Sequence, residues 1–223
     1  HIPGRDAHGM SLGCAPHASL RIAARSPPPP RATSPHLKWL FVTDERQQLI
    51  DFIRDEAVFH GDFTLTSGKK ASYYIDLRKV SLDHRVAPLI GRVMVPLIDE
   101  FDGIVAVGGL TMGADPIAAA VLHQGAAMGR TYDAFVVRKE PKDHGRGRQV
   151  EGPDLAGKRV VVLEDTSTTG GSPLTAARAL EKVGAEVVAV AVVVDRATGA
   201  REVIEGAGYA YRYAIGLEDL GLA

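Results

Sequence analysis

The chain has 223 residues, 45% of them apolar and 24% charged, a composition typical of a globular domain with a good-sized core. A formal net charge of −1 argues against nonspecific nucleic-acid binding, which depends on a basic surface. The single cysteine, Cys14, excludes an intramolecular disulfide and a cysteine-based metal site, and no apolar run approaches the ~20 residues of a membrane span. We therefore expect a cytoplasmic protein that binds neither nucleic acid nor membrane.

The first 41 residues differ in character from the rest of the chain. They begin at His1 rather than at a methionine, and Ser26–Arg31 contains four consecutive prolines that cannot pack as a helix or a central strand. Apolar residues are too scattered for a signal peptide. We expect residues 1–41 to be a disordered leader, derived from a vector or from mis-annotation, and residues 42–223 to form the folded domain.

The folded domain is predicted to begin with an amphipathic helix. Thr43 is a plausible N-cap, acids fill the first turn, and apolar residues recur at helical spacing until His60-Gly61. Over Phe63–Leu77, alternating residues flank the turn Ser67-Gly68 and predict a β-hairpin. Two lysines at its tip (Lys69, Lys70) and two tyrosines on its return strand (Tyr73, Tyr74) are unusual for a purely structural hairpin, although a solvated hairpin with core tyrosines is the alternative.

Strands and helices then alternate along the chain. We predict helices over 83–101 (interrupted at Pro88 or Pro96), 114–123, 173–183 and 198–207, and strands over 103–107, 134–137, 160–163 and 186–194. Gly108-Gly109 is expected to end one strand, and Asp195-Arg196 another. This alternation predicts an α/β fold with a central parallel sheet flanked by helices and a ligand site at the carboxyl ends of the strands.

The segment from Val160 to Ser172 carries the most specific signal. A buried strand is followed by the adjacent acids Glu164 and Asp165, which we expect to stop it, then by hydroxyls and glycines, and then by a helix. Main-chain N–H groups in such a turn, with the positive end of the helix dipole, bind phosphate. The segment lacks the lysine of a Walker loop and the glycine spacing of a dinucleotide fingerprint. An ordinary capped strand-to-helix turn is the alternative, but it requires neither the acid pair nor so many hydroxyls.

A long basic loop over residues 138–152 precedes this segment. Its cationic residues are Arg138, Lys139, Lys142, His144, Arg146 and Arg148. Loops of this length are usually lids or disordered segments. The alternative is a solvated charged loop without function. The position of the loop between two predicted strands disfavours that alternative.

Together these motifs resemble a known family. The segment 160–172 resembles the phosphoribosyl pyrophosphate (PRPP) motif of type I phosphoribosyltransferases. The pattern Phe-x-Leu-x-Ser-Gly followed by Tyr73-Tyr74 is similar to the N-terminal hood of orotate phosphoribosyltransferases, here roughly residues 62–78. The run Arg138–Gly145 resembles their mobile catalytic loop. Asp195-Arg196 matches the strand end whose arginine holds the orotate carboxylate in that family, although an arginine that only caps the sheet edge is the alternative.

The resemblance implies transfer of a phosphoribosyl group from PRPP to orotate, giving orotidine 5′-monophosphate and pyrophosphate in pyrimidine (UMP) biosynthesis. It implies Mg²⁺ held mainly by PRPP and water, with no direct protein ligand, and a homodimer whose lid loop is shared between subunits. Catalytic roles fall to Lys142, Glu164 and Asp165. Orotate binding falls to Thr168, Arg196, Tyr73 and Tyr74. PRPP binding falls to Arg138, Lys139, Lys142, His144, Glu164, Asp165, Thr166, Ser167, Thr168, Thr169, Gly170, Gly171 and Ser172.

The sequence also departs from the family pattern. Some members have a lysine where Thr66 stands and Tyr-Lys where Thr111-Met112 stand, so Lys69, Lys70 or lid residues would have to supply that charge. One alternative function is a phosphoribosyltransferase for another base, which the hood and Arg196 disfavour. Another is a noncatalytic PRPP-sensing regulator, which the lack of a helix-turn-helix segment and of a basic face disfavours.

Overall fold

The structure, a computed structural model, describes residues 35–64, 70–140 and 148–223, with the main chain alone at 35–43 and at Thr64. The predicted leader up to residue 34, the hairpin turn and the lid residues Lys142 and His144 lie outside the described residues. Disorder of the leader and the boundary at residue 42 therefore stay predictions.

The described chain alternates between helices and strands. The helices are α1 (Pro35–Phe52), α2 (Arg78–Ser81), α3 (Ala87–Ile98), α4 (Ala114–Ala127), α5 (Gly171–Lys182) and α6 (Ala200–Gly206). The strands are β1 (Val58–Thr64), β2 (Lys70–Ile75), β3 (Ile104–Leu110), β4 (Asp133–Val137), β5 (Val150–Glu151), β6 (Arg159–Ser167), β7 (Glu186–Asp195) and β8 (Ala210–Gly216). In this part of the chain, no helix is both long and apolar enough to cross a membrane.

A six-stranded sheet in the order β5-β4-β3-β6-β7-β8 forms the centre of the domain. All neighbouring strands are parallel except the short edge pair of β4 and β5. The predicted parallel sheet is thus confirmed. The chain runs outward from β3 in one direction through β4 and in the other through β6, so the strand order reverses between β3 and β6. Ligands of open α/β sheets bind at such a reversal, beyond the carboxyl ends of the strands.

Two apolar clusters cover the two faces of this sheet. Alternate residues of β6 point to opposite faces of the sheet. Val161 and Leu163 therefore join the cluster formed with α1, α3 and α4. Val160 and Val162 join the cluster formed with α5 and α6. All four side chains are fully buried. The near-continuous valine run of β6 is therefore explained by burial on both faces.

The N-terminal helix differs from the prediction at both ends. It begins at Pro35 rather than at Thr43, and after Phe52 it continues as a π-helical segment only to Ala57. The predicted end at His60-Gly61 is wrong because Val58 and the next residues pair with β2 in an antiparallel ladder. Strand pairing overrides helical periodicity here, and the hairpin begins earlier than expected.

Two further boundaries are corrected. The helix predicted over 83–101 starts at Ala87, with Pro88 in its first turn, where no N–H is needed, and Pro96 lies inside it. The strand predicted to end at Gly108-Gly109 continues to Leu110. A Cβ at Gly108 would lie 1.9 Å from the carbonyl oxygen of Phe135, so glycine permits a close approach of β3 to β4 rather than a turn.

The acid pair does not stop strand β6. The strand continues through Glu164 and Asp165 to Ser167, because Thr166 and Ser167 still pair with Val194 and Asp195 of β7. Both carboxylates therefore sit on a hydrogen-bonded strand, a more rigid support than the predicted turn. The C-terminal segment Ala210–Gly216, for which the sequence predicted neither helix nor strand, forms strand β8.

Candidate active site

A pocket of about 240 Å³ opens at the carboxyl ends of β3 and β6, where the strand order reverses. It receives side chains from the end of the hood, the β3–α4 loop, the start of the basic loop, and β6 with the loop that follows it. The lining residues are Tyr74, Ile75, Asp76, Leu77, Arg78, Leu110, Thr111, Met112, Gly113, Lys139, Glu164, Asp165, Thr166 and Ser172.

The two acids of the pocket have different surroundings. Glu164 is buried, and its Oε2 atom has no hydrogen-bond partner among the described residues. Burial, with a smaller contribution from neighbouring Asp165, raises the pKa of Glu164 to about 9. Asp165 instead accepts a hydrogen bond at Oδ1 from the main-chain N–H of Thr166, at 2.7 Å. At neutral pH Glu164 therefore keeps a proton that it can donate, whereas Asp165 already accepts a hydrogen bond from the main chain.

We expect Glu164→Gln to stabilise the ligand-free protein at pH 8. Between about pH 4.5 and pH 9 the unfolded chain releases a proton that folded Glu164 retains, so the free energy of unfolding falls as pH rises through that window. Glutamine has no proton to release, and the variant should gain at least about 1 kcal/mol, or roughly 2–4 °C in Tm. Thermal melts at pH 4 and pH 8 measure this gain, which should disappear at pH 4.

The matched control for that substitution is Glu218→Gln, because Glu218 is exposed. Its melting temperature should follow the wild-type value at both pH values. A Glu164→Gln variant with no gain at pH 8, or with a larger gain at pH 4, would contradict the raised pKa of Glu164.

The β3–α4 loop packs directly against the second acid. A Cβ at Gly113 would lie 2.8 Å from Oδ1 of Asp165, so only glycine leaves this carboxylate where it is. The main-chain N–H of Thr111 donates to the carbonyl oxygen of Val137, and its hydroxyl donates to Asp115 at 2.7 Å. The Thr111–Met112 peptide bond is cis, and the Met112 side chain is 66% exposed. The loop thus presents main-chain groups at the mouth of the pocket.

The predicted phosphate loop follows β6. Gly170 adopts the left-handed conformation (φ 76°) immediately before α5, which explains why a glycine stands there. Thr168 and Thr169 are exposed, and the Thr198 hydroxyl donates to the carbonyl oxygen of Thr168. Ser172, in the first turn of α5, lines the pocket. Exposed hydroxyls at the positive end of a helix form an arrangement that can bind a phosphate dianion.

The hydroxyl of Ser167 belongs to a buried hydrogen-bond network. The side chain is 1% exposed, and its Oγ donates to Asp195 at 2.7 Å while accepting from the Tyr211 hydroxyl at 2.8 Å. This hydroxyl is engaged within the fold, and the PRPP contact predicted for Ser167 stays a prediction. The network fixes the end of β6 against the end of β7.

Two of the predicted orotate contacts, Arg196 and Tyr73, lie together. The Arg196 guanidinium lies over the Tyr73 ring at 5.6 Å, and the Arg196 Nε has no partner among the described residues. Tyr74 lines the pocket itself and contacts the Phe63 ring at 5.9 Å between centroids. The hood and the end of β7 therefore meet, as a binding site for a planar anionic base requires.

The first two residues of the basic loop, Arg138 and Lys139, lie in different surroundings. Lys139 lines the pocket, whereas an NH1 atom of Arg138 lies 3.9 Å from Glu151 on the edge strand β5. The predicted role of Arg138 in binding PRPP stays a prediction. Lys142 and His144 fall outside the described residues, so their predicted roles stay predictions.

Comparison with known proteins gives a consistent answer. A family model described as a phosphoribosyl transferase domain matches residues 82–208. The orotate phosphoribosyltransferase of Streptomyces coelicolor is 60% identical over 184 residues, 81% of this chain and 100% of that protein. That of Tropheryma whipplei (strain Twist) is 61% identical over 175 residues, 78% of this chain and 82% of that protein. This chain belongs to the orotate phosphoribosyltransferase family.

Solved structures of this family agree. Mycobacterium tuberculosis H37Rv orotate phosphoribosyltransferase in complex with PRPP has a TM-score of 0.69 and 50% identity, covering 80% of this chain and 99% of that chain. The same enzyme in complex with Fe(III) dicitrate has a TM-score of 0.73 and 54% identity, with the same coverage. The type I phosphoribosyltransferase fold predicted from the motifs is thereby confirmed.

Sequence reasoning missed two charged residues of the pocket, Asp76 and Arg78. They follow the return strand of the hood, and the Arg78 Nε donates to Asp76 at 2.9 Å. The available signal was the alternation of these charged residues with buried Ile75 and Leu77, which indicates that the two charges share the side opposite the core. Asp195, taken only as the end of a strand, was likewise missed as the partner of Ser167.

Metal ligands are sparse in the part of the chain that the structure describes. No group of three or more His, Cys, Asp or Glu side chains lies close enough there to hold a metal ion. The acid pair of the pocket offers Asp165 beside Glu164, whose Oε2 atom has no hydrogen-bond partner among the described residues. Such a donor set suits a hard cation that keeps most of its ligands from substrate and water.

Proposed function

We propose that this chain catalyses transfer of the 5-phosphoribosyl group from PRPP to orotate, forming orotidine 5′-monophosphate and pyrophosphate. The observation that carries the proposal is the pocket at the strand reversal. Its acid pair, hydroxyl loop and β3–α4 loop surround one volume, and Tyr73, whose ring Arg196 lies over, directly precedes the lining residue Tyr74. Ribose, phosphate, pyrophosphate and an anionic base each find a matching group there.

In this proposal, each group has a part in a displacement at the anomeric carbon of ribose. The 5′-phosphate binds the exposed hydroxyls and N–H groups between Thr166 and Ser172. Protonated Glu164 donates to one ribose hydroxyl, and the Asp165 carboxylate accepts from the other. The negative charge of Asp165 also favours the positive charge that develops on the ribose ring in the transition state. No covalent nucleophile from the protein is required.

Orotate is positioned by the hood and the end of β7. Arg196 can form a bidentate pair with the orotate carboxylate, and Tyr73 holds the guanidinium plane from one side. Tyr74 contributes from within the pocket, and Thr168 from the phosphate loop. Lys139 neutralises part of the pyrophosphate, with Lys142 and His144 proposed to complete that role from the lid.

Mg²⁺ is proposed as the cofactor, held mainly by PRPP oxygens and water next to Glu164 and Asp165. When bound, it neutralises phosphate charge on the leaving group. We also propose a homodimer in which the lid loop reaches the neighbouring subunit's pocket, and a cytoplasmic setting, as the sequence led us to expect.

The carboxylate contact gives a direct test of the base. Arg196→Ala should raise the KM for orotate on the order of 10- to 100-fold while leaving the KM for PRPP nearly unchanged, because a charge-assisted bidentate pair is lost from one substrate only. Initial-rate kinetics with each substrate varied in turn measure both constants.

The matched control is Arg201→Ala. Arg201 also lies over a tyrosine ring, that of Tyr211 at 5.2 Å, but it does not line the pocket. Its kinetic constants should equal those of the wild type. If Arg196→Ala leaves the orotate KM untouched, the assignment of this arginine to the orotate carboxylate is wrong.

A further inference from the structure

Arg78 lines the pocket although it belongs to none of the sequence motifs. It is the first residue of the short helix α2, immediately after the hood, and it lines the same volume as Glu164, Asp165 and Lys139. Its side chain is 48% exposed, so the guanidinium is accessible to a ligand.

The guanidinium is oriented but only partly used. Its Nε donates to Asp76 at 2.9 Å, and no described residue accepts a hydrogen bond from its two terminal nitrogens. The hydrogen bond to Asp76 raises the pKa of Arg78 above its usual range, and the nearby Asp165 carboxylate adds to that effect. A planar guanidinium held at Nε, whose two terminal nitrogens have no described acceptor, matches the oxygens of a phosphate group.

The charge balance of the pocket also calls for this cation. Apart from Glu164, which retains its proton at neutral pH, its described lining residues include the acids Asp76 and Asp165 and the bases Arg78 and Lys139. The positions where some family members carry lysine hold Thr66 and Met112 in this chain. Without Arg78, the described part of the pocket would offer a single cation to a highly charged pyrophosphate.

We propose that Arg78 binds the pyrophosphate group of PRPP and of the departing product, in place of the lysines that this chain lacks. This assignment rests on the proposed function. It gives the leaving group a second cation in the pocket that Lys139 also lines.

The neighbours of Arg78 favour pyrophosphate over orotate. It shares the pocket with the β3–α4 loop and Lys139, whereas Arg196, Tyr73 and Thr168 do not line that volume. Arg196, over the Tyr73 ring, already provides a cation for the orotate carboxylate. Replacement of Arg78 should therefore leave the affinity for a ligand without pyrophosphate unchanged.

The test compares ligands with and without pyrophosphate. Calorimetric titrations with Mg²⁺ present measure the affinities of PRPP, pyrophosphate and orotidine 5′-monophosphate for the wild type, Arg78→Gln and Arg78→Lys. Arg78→Gln should weaken PRPP and pyrophosphate binding on the order of 10- to 100-fold and leave orotidine 5′-monophosphate binding unchanged. Arg78→Lys keeps the charge but not the planar guanidinium, so its affinities for PRPP and pyrophosphate should lie between those of the wild type and of Arg78→Gln. If the glutamine variant fails to fold, the lysine variant is the test.

Arg85→Gln is the matched control. Arg85 is also 48% exposed and pairs with the aspartate two residues before it, Asp83, but it lies outside the pocket. It should leave all three affinities unchanged. The proposal would be overturned if Arg78→Gln bound PRPP and pyrophosphate as tightly as Arg85→Gln does. It would also be overturned if Arg78→Gln lost as much affinity for orotidine 5′-monophosphate as for PRPP. If the wild type binds these ligands but does not turn over orotate, the proposed function fails while the Arg78 assignment is still decided by the titrations.

Discussion

Replacement of Lys142 by alanine is expected to lower kcat by on the order of 100-fold or more while changing PRPP binding little. The family resemblance gives this lid lysine a role in neutralising the departing pyrophosphate, whose charge grows as the bond to ribose breaks. An interaction that strengthens only in the transition state affects kcat rather than ground-state binding. Steady-state kinetics combined with a PRPP titration separate the two effects.

The control for that variant is Lys182→Ala. Lys182 is exposed in the last turn of α5, away from the pocket, and its removal should leave kcat at the wild-type value. Unchanged turnover in Lys142→Ala would remove this lysine from the mechanism. A large loss of PRPP affinity with unchanged kcat would make it a ground-state binding residue instead.

The second large effect is expected for Gly113→Ala. The added Cβ would lie 2.8–2.9 Å from the carboxyl atoms of Asp165, so that carboxylate has to move. The main chain at Gly113 (φ −64°) accepts alanine without strain, so the fold should retain its stability. Because displacement of a catalytic group by about 1 Å can cost on the order of 100-fold, we expect kcat/KM to fall by roughly 10- to 100-fold.

Gly206→Ala provides the comparison for this substitution. Gly206 is the last residue of α6, and a Cβ there would meet no atom within 4 Å. Its kcat/KM should be that of the wild type. If Gly113→Ala were equally active, with an unchanged melting temperature, the position of the Asp165 carboxylate would not limit the reaction.

Most of the architecture was predictable because local patterns and the tertiary structure agree. The valine run of β6, the glycines and hydroxyls after it, and the regular alternation of strands and helices each predict the same parallel sheet. The acid pair Glu164-Asp165 and the lining residues Tyr74 and Lys139 were found because they stand in motifs whose spacing is specific.

The errors arise where long-range contacts decide. Gly108 suggested a turn, yet its lack of a side chain serves the close approach of β3 to Phe135. The hydrogen bonds of Ser167 were not predicted, because only the folded chain brings Asp195 and Tyr211 to its hydroxyl. Arg78 stood in no recognised motif, and its place in the pocket follows from how the hood returns to the sheet. Pairing partners distant in sequence cannot be identified from local residue patterns alone.

The pocket at the strand reversal is proposed to transfer phosphoribose to orotate. The most direct test is an absorbance assay of the purified chain with PRPP, Mg²⁺ and one of four bases: orotate, uracil, adenine or hypoxanthine. Turnover of orotate alone is the predicted result, because Arg196 and the hood select an anionic pyrimidine. Turnover of another base in preference to orotate would contradict the assignment of the hood, and tight PRPP binding without turnover of any base would make the chain a PRPP-sensing regulator instead.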